Sequence, residues 1–506
     1  MTYLLAHDLG TTGNKATLYR DDGLLVADAF SAYDTLNTGM GRMEQDPERW
    51  WQAVCTSTRQ MMEQSGIRPQ SIAGISFSGQ MMGCLLTDAS GEPLGNALIW
   101  ADTRADKEEQ AMLARVPMEE VYRITGHRLS ASYSAAKLLW IRDHEPDRYA
   151  RAYKMLNAKD FIAFRMTGRL VTDYSDASGT NLFDLQAKAW AQPLLDCWDI
   201  PAALLPEVVP SITCIGTLQR DAARQMALCE GIPVIIGGGD GSCACLGAGV
   251  IRPGEAYCVL GSSSWISAVS EQPILDPQMR TFNWAHLDPR LYTPCGTMQA
   301  AGYSYEWYAK QLMKESDYDT LNTLAAQTPL GAEGLMYLPY LLGERSPRWN
   351  LTARAAFIGM GTSTGRGAMA RAVMEGVALN LRIILEILRE KTPVRKLTLI
   401  GGGAKASLWQ QILADAWRQT LTLTDHPRDA TSMGAAVCAG IGTGVYHDFD
   451  AVGQFIHETK QVVPIAGHST AYDELAAIFD EAYEGLCGVY ERLRAFRVDH
   501  EGGCEQ

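Results

Sequence analysis

The chemically capable residues of this chain gather at two aspartates and a few short turns. Asp8 ends the apolar run Leu4-Leu5-Ala6-His7, and Leu9-Gly10-Thr11-Thr12-Gly13-Asn14-Lys15 follows. A Gly-Thr-Thr-Gly turn aims backbone N–H groups and hydroxyls at one point, as phosphate-cradling loops do. Its glycines permit backbone geometry that a side chain forbids. An acid at the end of the preceding strand can hold a hydrated Mg²⁺ against those phosphates. The same residues also describe an ordinary β-hairpin turn, and Lys15 reads equally as a solvated strand residue or a phosphate ligand. Asp240 stands where Pro233-Val234-Ile235-Ile236 breaks into Gly237-Gly238-Gly239-Asp240-Gly241. It either caps the helix after it or faces a ligand.

Further candidates lie at other strand ends. Ala256-Tyr257-Cys258-Val259-Leu260 meets Gly261-Ser262-Ser263-Ser264, a second hydroxyl-rich turn. Leu397-Thr398-Leu399-Ile400 enters Gly401-Gly402-Gly403-Ala404-Lys405, where a nucleotide can approach the backbone closely. This segment lacks the G-x-x-x-x-G-K-[ST] loop and is not a Walker site; a tight strand–helix turn is its plain alternative. Gln80-Met81-Met82-Gly83 and Trp100-Ala101-Asp102-Thr103-Arg104 offer an amide, two thioethers, an indole, an acid and a cation. Met81 and Met82 serve equally as core filler, and Arg104 can pair with Asp102.

Strands must deliver these turns. The alternation predicts strands over Tyr3–Asp8, Ala16–Tyr19, Leu24–Phe30 and Ile72–Phe77. Asp46 and Pro47 start a helix as N-cap and first-turn residue. Helical patterning runs from about Lys107 to Gly168. The polar segment Thr172–Thr180 reads as a turn in preference to a ligand wall. Helices are predicted after Asp240, over Arg366–Arg389, from Leu408, over Thr431–Gly440 and from Thr470 to Arg497. Strand, Gly-Thr-Thr, strand at the start returns as strand, Gly-Ser-Ser, strand after residue 255, which predicts two copies of one fold facing each other. The expected units are 1–247 and 248–506.

With 506 residues the chain is too long for one hydrophobic core. A net charge of -14 repels nucleic acid and anionic membrane surfaces and leaves an anionic substrate in need of a metal or local cations. No apolar run reaches the length of a membrane span, and the first residues do not read as a secretory signal. Twelve scattered cysteines suit reduced thiols in a cytoplasm rather than a disulfide scaffold; the Cys243-x-Cys245 pair has no matching zinc-spaced partner.

Together these motifs resemble the FGGY carbohydrate kinases, most closely the xylulokinases among them. The match comprises D-L-G-T-T-G-N-K from Asp8, E-Q-D-P from Glu44, S-G-Q-M from Ser78 and W-A-D-T-R from Trp100. It continues with S-x-S-x-x-K-L-x-W from Ser132, G-G-G-D from Gly237, G-E-R-S-P-R from Gly343 and G-G-G-A-K from Gly401. The resemblance implies an α/β fold of two actin-like (ribonuclease H-like) ATPase domains with ATP and sugar in the inter-domain cleft. It implies transfer of the γ-phosphoryl of ATP to a terminal hydroxyl of a ketopentose, D-xylulose foremost. By the same resemblance Asp240 is the catalytic base and Asp8 the acid that organises Mg²⁺, with Asp240 beside it at the metal. Gly10, Thr11, Thr12, Lys15, Gly261, Ser262 and Ser263 hold the ATP phosphates, while Gly402, Gly403, Ala404 and the small helix beyond Thr431 face adenosine. Gln80, Met81, Met82, Trp100, Asp102 and Arg104 meet the sugar. A second copy of the chain is the protein partner considered.

Three positions depart from the xylulokinase pattern, all on the sugar side: Met82 for His, Gly241 for Asn and Ala101 for Asn. Ribulose, erythrulose and erythritol therefore stay open as acceptors. The competing classes are an actin-like ATPase without a sugar and a sugar-sensing regulator with a dead core. Both acids are present, which argues against the latter.

Overall fold

The chain opens with a hairpin, β1 (Tyr3–Leu9) and β2 (Gly13–Arg20), that sets Asp8 opposite Lys15. In the computed structural model, which describes residues 1–39, 41–315, 317–425 and 429–501, this hairpin begins a mixed sheet. β3 (Leu25–Ala32) joins β2 antiparallel, and β4 (Ile72–Gly79) joins β1 in parallel. Beyond β4 come β5 (Cys214–Thr217), β6 (Pro233–Ile235) and the short β7 (Gly238–Gly239), which also pairs with β4. The helix α1 (Pro47–Ser65) covers one face. Its N-cap Asp46 accepts from the Glu48 N–H at 2.9 Å, and Trp50, Trp51, Val54 and Met61 are buried in the sheet's core.

The second half repeats the plan. β8 (Glu255–Leu260) and β9 (Ser264–Ala268) form the hairpin, and β10 (Phe282–Ala285) and β11 (Tyr292–Met298) extend it antiparallel. The 24-residue helix α2 (Arg366–Arg389) forms the core of this lobe. β12 (Lys396–Ile400) then lies parallel to β8 as β4 does to β1, followed by β13 (Leu421–Thr424). Hairpin turns Gly10–Thr12 and Gly261–Ser263 thus occupy equivalent places, and the predicted duplication is present in the strand order itself.

The two sheets meet through crossed helices. α3 (Asp240–Gly247) leaves the first sheet, and α4 (Ala430–Gly442) leaves the second. They pack on each other in a core shared by Leu4 and Ala6 of β1 with Tyr257 of β8 and Ile400 of β12. Residues from the far end of the chain therefore complete the first lobe. The small residues Gly434, Ala435 and Ala436 serve this crossing: a Cβ on Gly434 would sit 2.2 Å from the Cys243 carbonyl oxygen, and Ala435 and Ala436 are buried in the shared core. The segment read as a turn after Thr172 is instead a buried helical turn, Tyr174–Ser178, capped by Asp173.

Gly434→Ala is expected to cost about 2–3 kcal/mol, the range for overpacking a close contact, because the obstacle is backbone. Gly488→Ala, on an open face of the closing helix (His468–Glu501), is expected to gain up to about 1 kcal/mol from helix propensity. Denaturant unfolding of the two variants against the parent checks the contrast.

Candidate active site

Register places the first acid and the strand carrying the second in one row. Lys15, Asp8, Ser78 and Gly238 lie side by side on β2, β1, β4 and β7, and Asp240 follows Gly238 by two residues. Gly237, with φ 65°, makes this possible, because a Cβ there would overlap the Phe77 carbonyl oxygen at 2.0 Å. Gly239 lets Met81 lie on the backbone just before Asp240; a Cβ would fall 2.5 Å from the Met81 sulfur.

Both carboxyls hold protons more tightly than an ordinary aspartate. Burial pushes Asp8 up, an effect opposed by the Thr431 hydroxyl, which donates to its Oδ2 at 2.7 Å. Asp240 is pushed up to about 7, first by burial and then by the charge of Asp8. The Gly241 N–H donates to Asp240 Oδ1 at 2.7 Å and opposes the rise. Among the described residues no group of three His, Cys, Asp or Glu side chains is arranged for a metal. Two oxygen ligands without a protein cage, under mutual repulsion, fit a hydrated divalent cation completed by water and phosphate.

The other candidate residues divide. Thr12, Ser262, Ser263 and Gly402 are exposed, with Thr11, Gly10, Gly261 and Gly403 half-buried beside them. The Gly261–Ser263 and Gly402–Ala404 segments adjoin, since a Cβ on Gly403 would meet the Leu260 side chain at 2.6 Å. Lys15 pairs with Asp429 and lies 3.6 Å from Asp28, so its ammonium reaches across to the start of α4. Trp100, expected on the sugar side, donates from Nε1 to Thr11 Oγ1 at 2.9 Å and so joins its loop to the Gly10–Thr12 turn. Asp102 and Arg104 are engaged with one another. Arg104 Nη2 reaches Asp102 Oδ2 at 2.7 Å and Glu44 Oε1 at 2.7 Å, and its guanidinium lies over Trp140 at 4.8 Å. That pair braces the loop carrying Trp100. Met81 is buried with Tyr133, Phe282 and Trp284, and Met82 packs against this cluster.

Sequence reasoning missed the supports. Gln45 accepts from Gln80 Nε2 at 2.8 Å and Trp50 Nε1 at 2.9 Å, and donates to the Thr11 carbonyl at 2.7 Å. Lys159 is fully buried, with Nζ 2.6 Å from Asp160, 2.9 Å from Asp173 and 3.3 Å from Asp176. Asp173 accepts from the Ser175 hydroxyl at 2.5 Å, and Ser175 Oγ accepts from the Gly239 N–H at 2.9 Å. A charged network thus steadies the residue before Asp240. The lone lysine of Asn157-Ala158-Lys159-Asp160-Phe161 was the available signal.

Two lobes of one duplicated plan, each with a hydroxyl-bearing hairpin turn, and two acids where their helices meet, define an actin-like phosphotransferase. The FGGY carbohydrate kinase N-terminal domain matches residues 3–247 and the C-terminal domain residues 256–443. The chain belongs to the FGGY family of carbohydrate kinases. It is 32% identical to the xylulose kinase of Bacillus subtilis (strain 168), across 98% of this chain and 100% of that protein. The ligand-bound xylulose kinase structure from Lactobacillus acidophilus superposes with a TM-score of 0.92 at 28% identity, covering 97% of this chain and 100% of that one. A gluconate kinase structure from the same organism gives 0.92 at 27% identity, with 97% and 99% covered.

A carboxyl with a raised folded-state pKa contributes stability that is complete below its unfolded value and is lost as pH rises through about 7. Asp240→Asn removes the ionisation. At pH 8 the ligand-free variant is expected to be more stable than the parent by about 2 kcal/mol, after discounting the full shift for residual contact with water. At pH 4 the two are expected to agree. Urea unfolding at both pH values measures this; equal stability at pH 8 contradicts the assignment.

Proposed function

We propose that this carbohydrate kinase transfers the γ-phosphoryl of ATP to the terminal hydroxyl of a ketopentose, with D-xylulose as acceptor and D-xylulose 5-phosphate as product. The observation that carries the chemistry is Asp240, whose proton affinity near neutrality suits a base that accepts a hydroxyl proton late in phosphoryl transfer. Asp240 takes the proton of the attacking hydroxyl while Asp8, oriented by Thr431, faces the phosphates with it. Thr11, Thr12, Ser262 and Ser263 supply hydroxyls and backbone N–H groups to those phosphates, and Gly402, Gly403 and Ala404 border the nucleoside. A bound Mg²⁺ supplies neutralisation of the phosphate charge. Closure of the lobes on the sugar excludes water, which otherwise takes the phosphoryl group. The setting we assign is the cytoplasm.

The xylulose kinase relatives support the acceptor, and the family's carbohydrate chemistry supports the reaction. A second reading keeps the chemistry and changes the acceptor. The Met82 thioether cannot donate a hydrogen bond, so ribulose, erythrulose and erythritol are alternatives. Arg128 favours an acidic sugar as well. Its guanidinium lies 4.9 Å over Trp349, beside the Met81–Met82 cluster, and makes no ion pair among the described residues.

ADP release across ketopentoses, tetritols and an aldonate tests the reading. Release is expected to depend on the acceptor and to be highest with D-xylulose; acceptor-independent hydrolysis at the same rate contradicts a sugar kinase. Asp240→Ala is expected to lower turnover at least 1000-fold with sugar affinity changed less than about threefold, and the parent's kcat/KM is expected to rise with pH through about 7.

A further inference from the structure

Lys137 lies in the helix Ser134–His144, fully buried, between Ala136 and Leu138. Its ammonium has no carboxylate within ion-pair distance among the described residues. Instead it donates to three backbone carbonyls: Met82 at 2.9 Å, Ile99 at 2.6 Å and Ser132 at 2.7 Å. These carbonyls belong to three separate segments. Met82 is in the turn after β4, Ile99 precedes Trp100, and Ser132 precedes Tyr133 of the Met81 cluster.

Met82 carries a second observation. Its φ is 62°, in the left-handed region where the Cβ of an L-residue crowds the following carbonyl oxygen. Such a conformation persists only where the surroundings over-determine it. The Lys137 bond to the Met82 carbonyl is that constraint. Through Ile99 the same ammonium fixes the loop whose Trp100 indole holds Thr11.

We infer that Lys137 is the positioning residue of the acceptor wall, fastening the Met82 turn, the Trp100 loop and the Ser132 segment into one surface. Lys137 does not touch the reacting atoms; it sets where Met81, Met82 and Trp100 meet the sugar. The inference rests on the reading of those three residues as the acceptor wall. This is favoured over a general fold contact because Met82 and Ser132 lie outside the cores beneath the sheets, and Ile99, whose side chain enters the first sheet's core, is joined directly to Trp100.

The test uses the full-length enzyme with D-xylulose, or the panel acceptor that turns over fastest, and ATP varied separately. Lys137→Met, which matches the length and donates nothing, is expected to raise the sugar KM at least tenfold and leave the ATP KM within twofold. Lys137→Gln, which keeps part of the donor set, is expected to fall between the parent and Lys137→Met. In a Met82→Gly background, where glycine takes the left-handed backbone freely, the Lys137→Met penalty on sugar KM is expected to shrink below threefold. An equal change in both KM values, or the same penalty with and without Met82→Gly, overturns the inference. If Lys137→Met does not fold, Lys137→Gln decides alone: a selective rise in sugar KM supports the inference and an unchanged sugar KM overturns it. Trp100→Ala separates the two levels. If it raises the sugar KM and Lys137→Gln does not, only the positioning role falls; if it leaves the sugar KM unchanged, the acceptor-wall reading falls and this inference with it.

Discussion

Two buried carboxyls, each costly to ionise and each felt by the other, organise this site. Asp8 and Gly238 sit in one row two strands apart, with Asp240 just beyond. Strands two places apart are separated by about 10 Å, where two unit charges repel by about 2 kcal/mol at an effective dielectric of 20. Burial is the larger cost; the Thr431 and Ser78 hydroxyls and the Lys15 ammonium oppose it at Asp8, and the Gly241 N–H opposes it at Asp240.

The scaffold keeps both acids from moving apart. β1 and β7 are each tied to β4, and Asp240 begins α3, which is locked against α4 where Gly434 admits the Cys243 backbone. Thr431 of α4 returns to Asp8, so the second half of the chain orients the acid of the first. Behind Asp240, the Lys159 cluster reaches Gly239 through Asp173 and Ser175. Behind the phosphate turn, Gln45 joins Gln80 to Thr11. The Gly10–Thr12 turn and the Gln80 and Trp100 segments are therefore one hydrogen-bonded body, with the Trp100–Thr11 bond as a direct link.

Local chemistry made much of this legible. Strand ends that carry an acid and then a glycine–hydroxyl turn are short-range patterns, and the α1 cap and the α2 span follow from neighbouring residues alone. What sequence could not show was long-range. Nothing near Lys15 announces Asp429, and while Asp102 and Arg104 are close enough in sequence to foresee their pair, nothing near them announces that Glu44 would join Arg104. The small residues of α4 suited a flat ligand wall as well as a helix crossing, and only the partner helix decides between them. The polar stretch after Thr172 reads as a turn from sequence because its neutralising partner, Lys159, is contributed from another element.

The charge coupling at the gap can be observed at a single atom. Carbonyl-region NMR of ligand-free protein labelled with ¹³Cγ-aspartate, titrated from pH 4 to 9 in the parent and in Asp8→Asn, follows Asp240 directly. The account predicts that Asp240 titrates near 7 in the parent and at a clearly lower pH once Asp8 is neutral. A parent Asp240 that titrates in the ordinary carboxylate range, or one that Asp8→Asn leaves unmoved, would contradict it.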